Sequence, residues 1–249
     1  INQINQGPAI ATQNGIKRAK GEYIKLVGGD DVMAPHCSEL LLKTILKKNS
    51  VAAFSAYKLL DNYDEIIFDK KDIKNFRVLK NPLFQTVKSS FSGTTPNLYC
   101  NKSIKKSGGC NNKIFVEDFS LVLGLSNFGS FSFIDNVTSY GPRNDANRIM
   151  IGQKVQLIHD YNAALFYFFK SNTEICNEIL KVACLKSLGR SDKLFRREIG
   201  GSSINLMKFY KLSLLFGRKD YINLIRKSCE FIYEKTDERS VRYKINYSP

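Results

Sequence analysis

The sequence predicts an α/β chain: a sheet flanked by helices over residues 1–147, then an all-helical region over 148–249. Two patterns and one motif predict this. Short apolar runs bounded by turn residues, such as Tyr23–Val27 and Val51–Leu60, alternate with helical periodicity in the first part. After Asn144 apolar residues recur at helical spacing instead, punctuated by Gly189, Gly200-Gly201 and Gly217. The motif is Gly28-Gly29-Asp30-Asp31 at the end of the first apolar run. In open α/β sheets ligands bind at the carboxyl ends of strands.

The elements follow in order. Residues 8–20 form an amphipathic helix with Ala9, Thr12, Ile16 and Ala19 on one face. Tyr23–Val27 is a short buried strand, and the two glycines after it permit a sharp turn and close approach of a ligand. Two carboxylates there suit a hard divalent cation that also takes substrate phosphates. Taken alone, the same pair suits still better a turn that caps the next helix. That helix spans Pro35–Lys48, with Leu41, Leu42, Ile45 and Leu46 inward and Lys47-Lys48-Asn49 at its end. Val51–Leu60 is the next strand. Residues 61–90 are polar and mixed, carry no motif, and read as a variable insertion with a short helix around Phe84–Val87.

A loop, Phe91–Pro96, precedes a strand at Asn97–Cys100, and Ser103–Gly109 is a short helix ending in a Gly108-Gly109 turn. Glu117 and Asp118 open a helix continued by Phe119, Leu121, Val122, Leu123 and Leu125. Carboxylates at a helix N-terminus are favoured by its dipole and free amides, so the pair reads either as a cap or as a catalytic pair. Residues 129–143 alternate as the last strands. Arg143 stands either as a phosphate contact or as a solvated surface residue. The C-terminal region reads as about four helices with apolar sets at Ile151–Phe169, Ile175–Leu185, Met207–Leu215 and Tyr221–Ile232, and a charged, loosely held tail from Lys235 to Pro249.

The pieces Asn5-Gln6-Gly7, Asn14-Gly15-Ile16, Ala19-Lys20-Gly21-Glu22-Tyr23-Ile24 and LVGGDDVMAP together resemble the central signature of the family 2 glycosyltransferases, which have the GT-A fold. The resemblance is continuous over residues 5–35. It returns at Gly108-Gly109, at Phe115–Phe119 and more faintly at Tyr140–Arg143. Two departures stand out: Gln13 occupies a position where the family usually has Arg, and Gly28 one where the first Asp of its D-x-D motif is common.

The resemblance implies a GT-A-like (Rossmann-like) mixed sheet and an inverting transfer of a sugar from a nucleoside-diphosphate sugar to an acceptor hydroxyl. It implies Mg²⁺ or Mn²⁺ held through Asp30, with donor contacts from Asn14, Gly28, Gly29, Asp31 and Arg143. Asp118 would be the general base, and Glu117 would orient it or bind the acceptor. The implied acceptor is a glycan or a lipid-linked glycan, and the implied setting is bacterial surface-polysaccharide synthesis in the cytoplasm or at the inner face of the membrane. The family opens with two β-α units before its N-x-G turn. This chain begins at that turn, so the expectation is an upstream segment completing the sheet, whose edge would otherwise stand unpaired.

Composition bounds the alternatives. The net charge is +15, and the excess is denser in residues 151–249. It suits polyanions: a nucleotide-sugar diphosphate, an anionic membrane surface or nucleic acid. No recognised nucleic-acid motif or aromatic-basic interleaving is present, so nucleic acid is not an expected partner. With only His36 and His159, a metal site built on several histidines is excluded. The six cysteines form no C-x-x-C pair, which argues against a zinc site and fits a reducing compartment. No run of about 18 apolar residues occurs, and the polar start INQINQGP does not read as a signal peptide. Two other readings compete: a degenerate transferase that binds glycans without catalysis, and a basic helical nucleic-acid binder.

Overall fold

The computed structural model describes residues 2–91, 96–143, 150–199, 206–215 and 221–235. The expectations for residues 92–95, 144–149, Gly200-Gly201 and Gly217, for the side chains of Met207 and Leu214, and for the tail beyond Lys235 lie outside the described residues.

Gly7, at φ 87°, and Pro8 start helix α1 (Pro8–Arg18), which buries Ala9 and Ile16 as its spacing predicts. Strand β1 is Tyr23–Ile24 only, shorter than expected. Beyond it the backbone leaves the ladder, and the Asn97 side chain takes the ladder's place. Asn97 Nδ2 donates to the Leu26 carbonyl at 3.1 Å, and the Leu26 amide donates to Asn97 Oδ1 at 3.0 Å. One amide side chain thus satisfies both backbone groups of a residue that has left the sheet.

Strand β2 (Val32–Met33) lies inside what the sequence presented as turn. Helix α2 (Cys37–Lys48) starts after Pro35 and ends on Asn49 in the left-handed region, at φ 50°. Its inward face is Leu40, Leu41, Thr44 and Ile45. Leu46, expected inside, is 64% exposed. The face is turned by about one residue because Thr44 can be buried: its hydroxyl donates to the Leu40 carbonyl at 2.7 Å.

Strand β3 (Ala52–Leu60) leads through a 3₁₀ turn at Tyr63–Glu65 to β4 (Arg77–Leu79) and α3 (Pro82–Ser89), capped by Asn81. Then come β5 (Asn97–Cys100), α4 (Asn101–Lys106), α5 (Glu117–Leu125) and one long strand, β6 (Phe131–Pro142), where several were expected. The sheet order is β1-β5-β3-β6-β2, with β4 also on β6. Only β3 and β6 run parallel among the pairs described, so the sheet is mixed.

The β3–β6 register slips at Ala56, and the bulge is fastened by the stretch that shows no motif. Asn136, fully buried, donates to the carbonyls of Lys70 and Asp72 and accepts the Lys74 amide, while Asp69 accepts the Val137 amide. A bulge leaves backbone groups unpaired; Asp69 pairs the Val137 amide there, while the Asn136 side chain ties the bulge to the backbone of residues 70–74.

The C-terminal part folds into α6 (Lys154–Ser171), α7 (Asn177–Leu194) with a π turn at Phe195–Ile199, α8 (Leu206–Leu215) and α9 (Tyr221–Lys235), as the periodicity predicts. No described helix is long and apolar enough to cross a membrane. These helices share a core with the sheet part. Leu83, Val87, Ile114, Phe119 and Leu123 pack with Leu165, Phe169, Leu188 and Ile225 in one cluster. On the other side of α5, Leu121, Val122 and Leu125 pack against Phe54, Tyr99 and Phe131 of the sheet.

Leu123 is fully buried in the shared cluster. Leu123→Ala should therefore cost about 2–5 kcal/mol. Urea unfolding followed separately by helix signal and by tyrosine fluorescence should show both midpoints falling together.

Candidate active site

The turn after Leu26 is built by Gly28. The Asp31 amide donates to the Gly28 carbonyl at 3.3 Å. Both carboxylates then lie over the glycine: a Cβ there would sit 2.8 Å from Asp31 Oδ2 and 3.0 Å from Asp30 Oδ1. Only a residue without a side chain leaves that space.

Three residues that sequence reasoning missed hold this turn. The Tyr57 hydroxyl donates to Asp31 Oδ1 at 2.8 Å, and the Tyr63 hydroxyl donates to the Asp30 carbonyl at 2.9 Å. The pairing of Val32 with Tyr140 brings Gly141 alongside. A Cβ at Gly141 would lie 1.7 Å from the Tyr57 hydroxyl and 2.5 Å from Asp31 Oδ1. A glycine inside a strand often marks such a close approach, and that was the available signal. Nothing local marks Tyr57 or Tyr63.

Lys25 faces inward rather than toward a ligand. Its Nζ donates to the Asn97 carbonyl at 3.1 Å and lies 3.2 Å from Cys37 Sγ, and burial holds its pKa below the usual lysine range.

The second carboxylate pair opens α5. Asp118 Oδ1 accepts the Phe119 amide at 2.7 Å. Burial, then the neighbouring Asp118, pushes Glu117 up to about 7. Burial also raises Asp118, against the lowering effect of its backbone hydrogen bonds. The nearby Cys110 thiol is pushed up to about 12 by burial and then by Glu117.

A cleft of about 320 Å³ brings the two pairs together. Gly28, Asp30 and Asp31 line one side, and Glu117 and Asp118 the other, with Tyr99 and Tyr161 also in the wall. Three expected residues do not line it. Asn14 donates to Gln3 Oε1 at 2.9 Å. Gly29 is exposed at the tip of the turn, with open space where a Cβ would be. Arg143 donates to the Leu59 carbonyl at 3.2 Å and pairs with Asp61 at 3.1 Å.

Among the described residues no group of three His, Cys, Asp or Glu side chains converges as a metal cage. The two carboxylates over Gly28 supply hard oxygen donors. That number fits a Mg²⁺-type ion, which keeps water and takes substrate phosphates to complete its shell.

Two outcomes follow. A carboxyl that holds its proton more tightly when folded loses stability as pH rises from its unfolded to its folded pKa. For Glu117 that window runs from 4.5 to about 7. Across it, wild-type stability should fall relative to Glu117→Gln by roughly 3 kcal/mol, measured by urea denaturation at each pH. Gly141→Ala should cost about 1–3 kcal/mol, and less in a Tyr57→Phe background, because the hydroxyl is the nearest obstacle. A double-mutant cycle reads that coupling.

Comparison with known proteins gives matches of two kinds. The crystal structure of S. aureus TarS 1–349 superposes with a TM-score of 0.55 at 12% identity, covering 93% of this chain and 64% of that one. The same protein in complex with UDP-GlcNAc gives 0.53 at 12% identity, covering 96% and 65%. Its complex with UDP gives 0.51 at 11% identity. At such identity the likeness is one of fold, and the chain spans just under two thirds of TarS 1–349. No curated protein matches the chain. The family model that matches, over residues 1–107, is that of glycosyl transferase family 2, so this part of the GT-A-like fold is similar to that family.

Proposed function

We propose that the chain carries the metal-side and acceptor-side parts of an inverting glycosyltransferase site. The observation that carries this reading is the single cleft that joins the Asp30-Asp31 turn to the Glu117-Asp118 helix start. The family match over residues 1–107 and the fold shared with a protein solved with UDP-GlcNAc and UDP support it. The donor is a nucleoside-diphosphate sugar and the acceptor a glycan or lipid-linked hydroxyl. The setting is bacterial surface-polysaccharide synthesis, where the basic surface meets anionic donors or an anionic membrane face.

Asp118 takes the proton of the acceptor hydroxyl as that oxygen attacks the anomeric carbon. The new C–O bond forms as the bond to the diphosphate breaks, and the departing phosphate oxygen keeps the electron pair. A single displacement of this kind inverts the anomeric carbon. Burial makes Asp118 a stronger base than a solvated aspartate. Glu117, beside it, orients the acceptor. Asp30, with Asp31 supporting the turn, would hold Mg²⁺ or Mn²⁺, which supplies charge stabilisation to the leaving diphosphate.

A glycan-binding module without catalysis is the second reading, motivated by Gly28 at a position the family often fills with Asp. Calorimetry with UDP-, GDP- and dTDP-sugars, with and without Mn²⁺, separates the two. Asp30→Ala should abolish metal-dependent donor binding. Asp118→Asn should keep donor binding and lower turnover about 10²–10⁴-fold. Donor binding that Mn²⁺ does not affect, in a folded protein without turnover, would overturn the catalytic reading.

A further inference from the structure

The segment just before the Glu117-Asp118 pair is held by the helical region, through a buried carboxyl. Asp160 of α6 is fully buried. Its Oδ2 accepts the Phe115 amide at 2.5 Å, and its Oδ1 lies 2.7 Å from Nδ1 of His159, itself fully buried. A carboxyl removed from water is costly unless its oxygens are partnered. One of the partners found here is the backbone two residues before Glu117.

The next residue along α6 holds the segment from its other end. Tyr161 lines the cleft and meets the Phe119 ring edge-on at 5.0 Å. The Arg190 guanidinium of α7 covers the Tyr161 ring at 5.0 Å and the Phe119 ring at 6.0 Å. The two carboxylates therefore sit between a backbone anchor at Phe115 and a ring anchor at Phe119, both supplied by the helical region. An apolar residue at position 160 would fill the core and leave the Phe115 amide unpaired.

We propose that Asp160 is a positioning residue for the Glu117-Asp118 pair, which makes α6 a working part of the site. The activity arm of the test rests on the glycosyl-transfer reading, and the structural arm does not. A shift of about 1 Å at a reacting group can cost on the order of 10²-fold in rate, and the Phe115 anchor is the element that prevents such a shift.

The test uses the full-length gene product, with UDP-GlcNAc and Mn²⁺ as the probe. Asp160→Ala removes the acceptor of the Phe115 amide, and Asp160→Leu does so with closer filling of the core should the alanine variant fail to fold. Asp160→Asn keeps an oxygen for that amide while losing the carboxyl. Asn162→Ala is the control on the same helix, since Asn162 bonds Ser187, Ser191 and Ser228 of α7 and α9 instead. Turnover should fall about 10–100-fold in the alanine or leucine variant while the donor Kd stays within about twofold. Amide hydrogen exchange over residues 115–118 should quicken about tenfold or more in the same variant. Asp160→Asn should restore both, and the control should change neither. Unchanged exchange at 115–118 in a folded alanine or leucine variant, or equal losses in the control, would overturn the proposal. If the wild type turns over none of the UDP-, GDP- and dTDP-sugars, the transferase reading fails, and the exchange comparison still decides the role of Asp160.

Discussion

Helix α5 is buried on both sides, and much of the molecule follows from that. Leu121, Val122 and Leu125 meet the sheet, while Phe119 and Leu123 meet the helical region. A helix in that position has little room for polar groups along its length, so its acidic chemistry is gathered at its N-terminus. Two effects then act on Glu117 and Asp118 in opposite senses. The amides and dipole of the first turn favour the charged carboxylate, by about 0.3–1 kcal/mol in exposed settings. Burial between two packed layers disfavours it. Burial wins, and both groups are raised, Glu117 to about 7. The apolar packing that holds the two parts of the chain together also sets the proton affinity of the groups at the cleft.

The other carboxylate pair is built on a different principle. Asp30 is exposed and Asp31 half-buried, on a turn held by two tyrosine hydroxyls and two glycines that keep space open. The cleft thus has one wall of half-buried carboxyls, raised by desolvation, at a helix start and one wall of carboxyls on a turn whose tip is exposed. Pairs of acids placed in contrasting environments take separate roles, because the environment decides which of them holds a proton.

How much of this could be read from the chain depends on sequence distance. The start of α5 at Glu117, the strand Asn97–Cys100, the Gly28–Asp31 turn and the C-terminal helices all show in local pattern, because period and turn chemistry are local. The missed features join residues far apart. Asn97 serves Leu26 across 71 positions, Asp160 serves Phe115 across 45, and Asn136 serves Lys74 across 62. Strand β2 was hidden because its two residues gain a partner only through the register of β6. The face of α2 is turned by about one residue from its apolar pattern because the buried Thr44 hydroxyl is satisfied by the Leu40 carbonyl, which a hydrophobic pattern does not show.

The two departures from the pattern of the family that the chain resembles have structural reasons here. Gln13 bridges both sides of the Gly109 turn: its Nε2 donates to the Gly108 carbonyl at 2.9 Å, and its Oε1 accepts the Cys110 amide at 2.9 Å. Gly108 and Gly109 both have φ in the left-handed region, and a Cβ at Gly109 would lie 2.2 Å from Gln13 Oε1. A neutral amide can donate and accept at once, whereas a guanidinium only donates. Glutamine is therefore the residue that can close this turn from α1. At Gly28 the missing carboxylate is offset in a similar way, since Asp30 and Asp31 fold into the space a side chain would take. In both places a side chain is exchanged for close backbone approach, and the turn that leads toward the cleft keeps its shape.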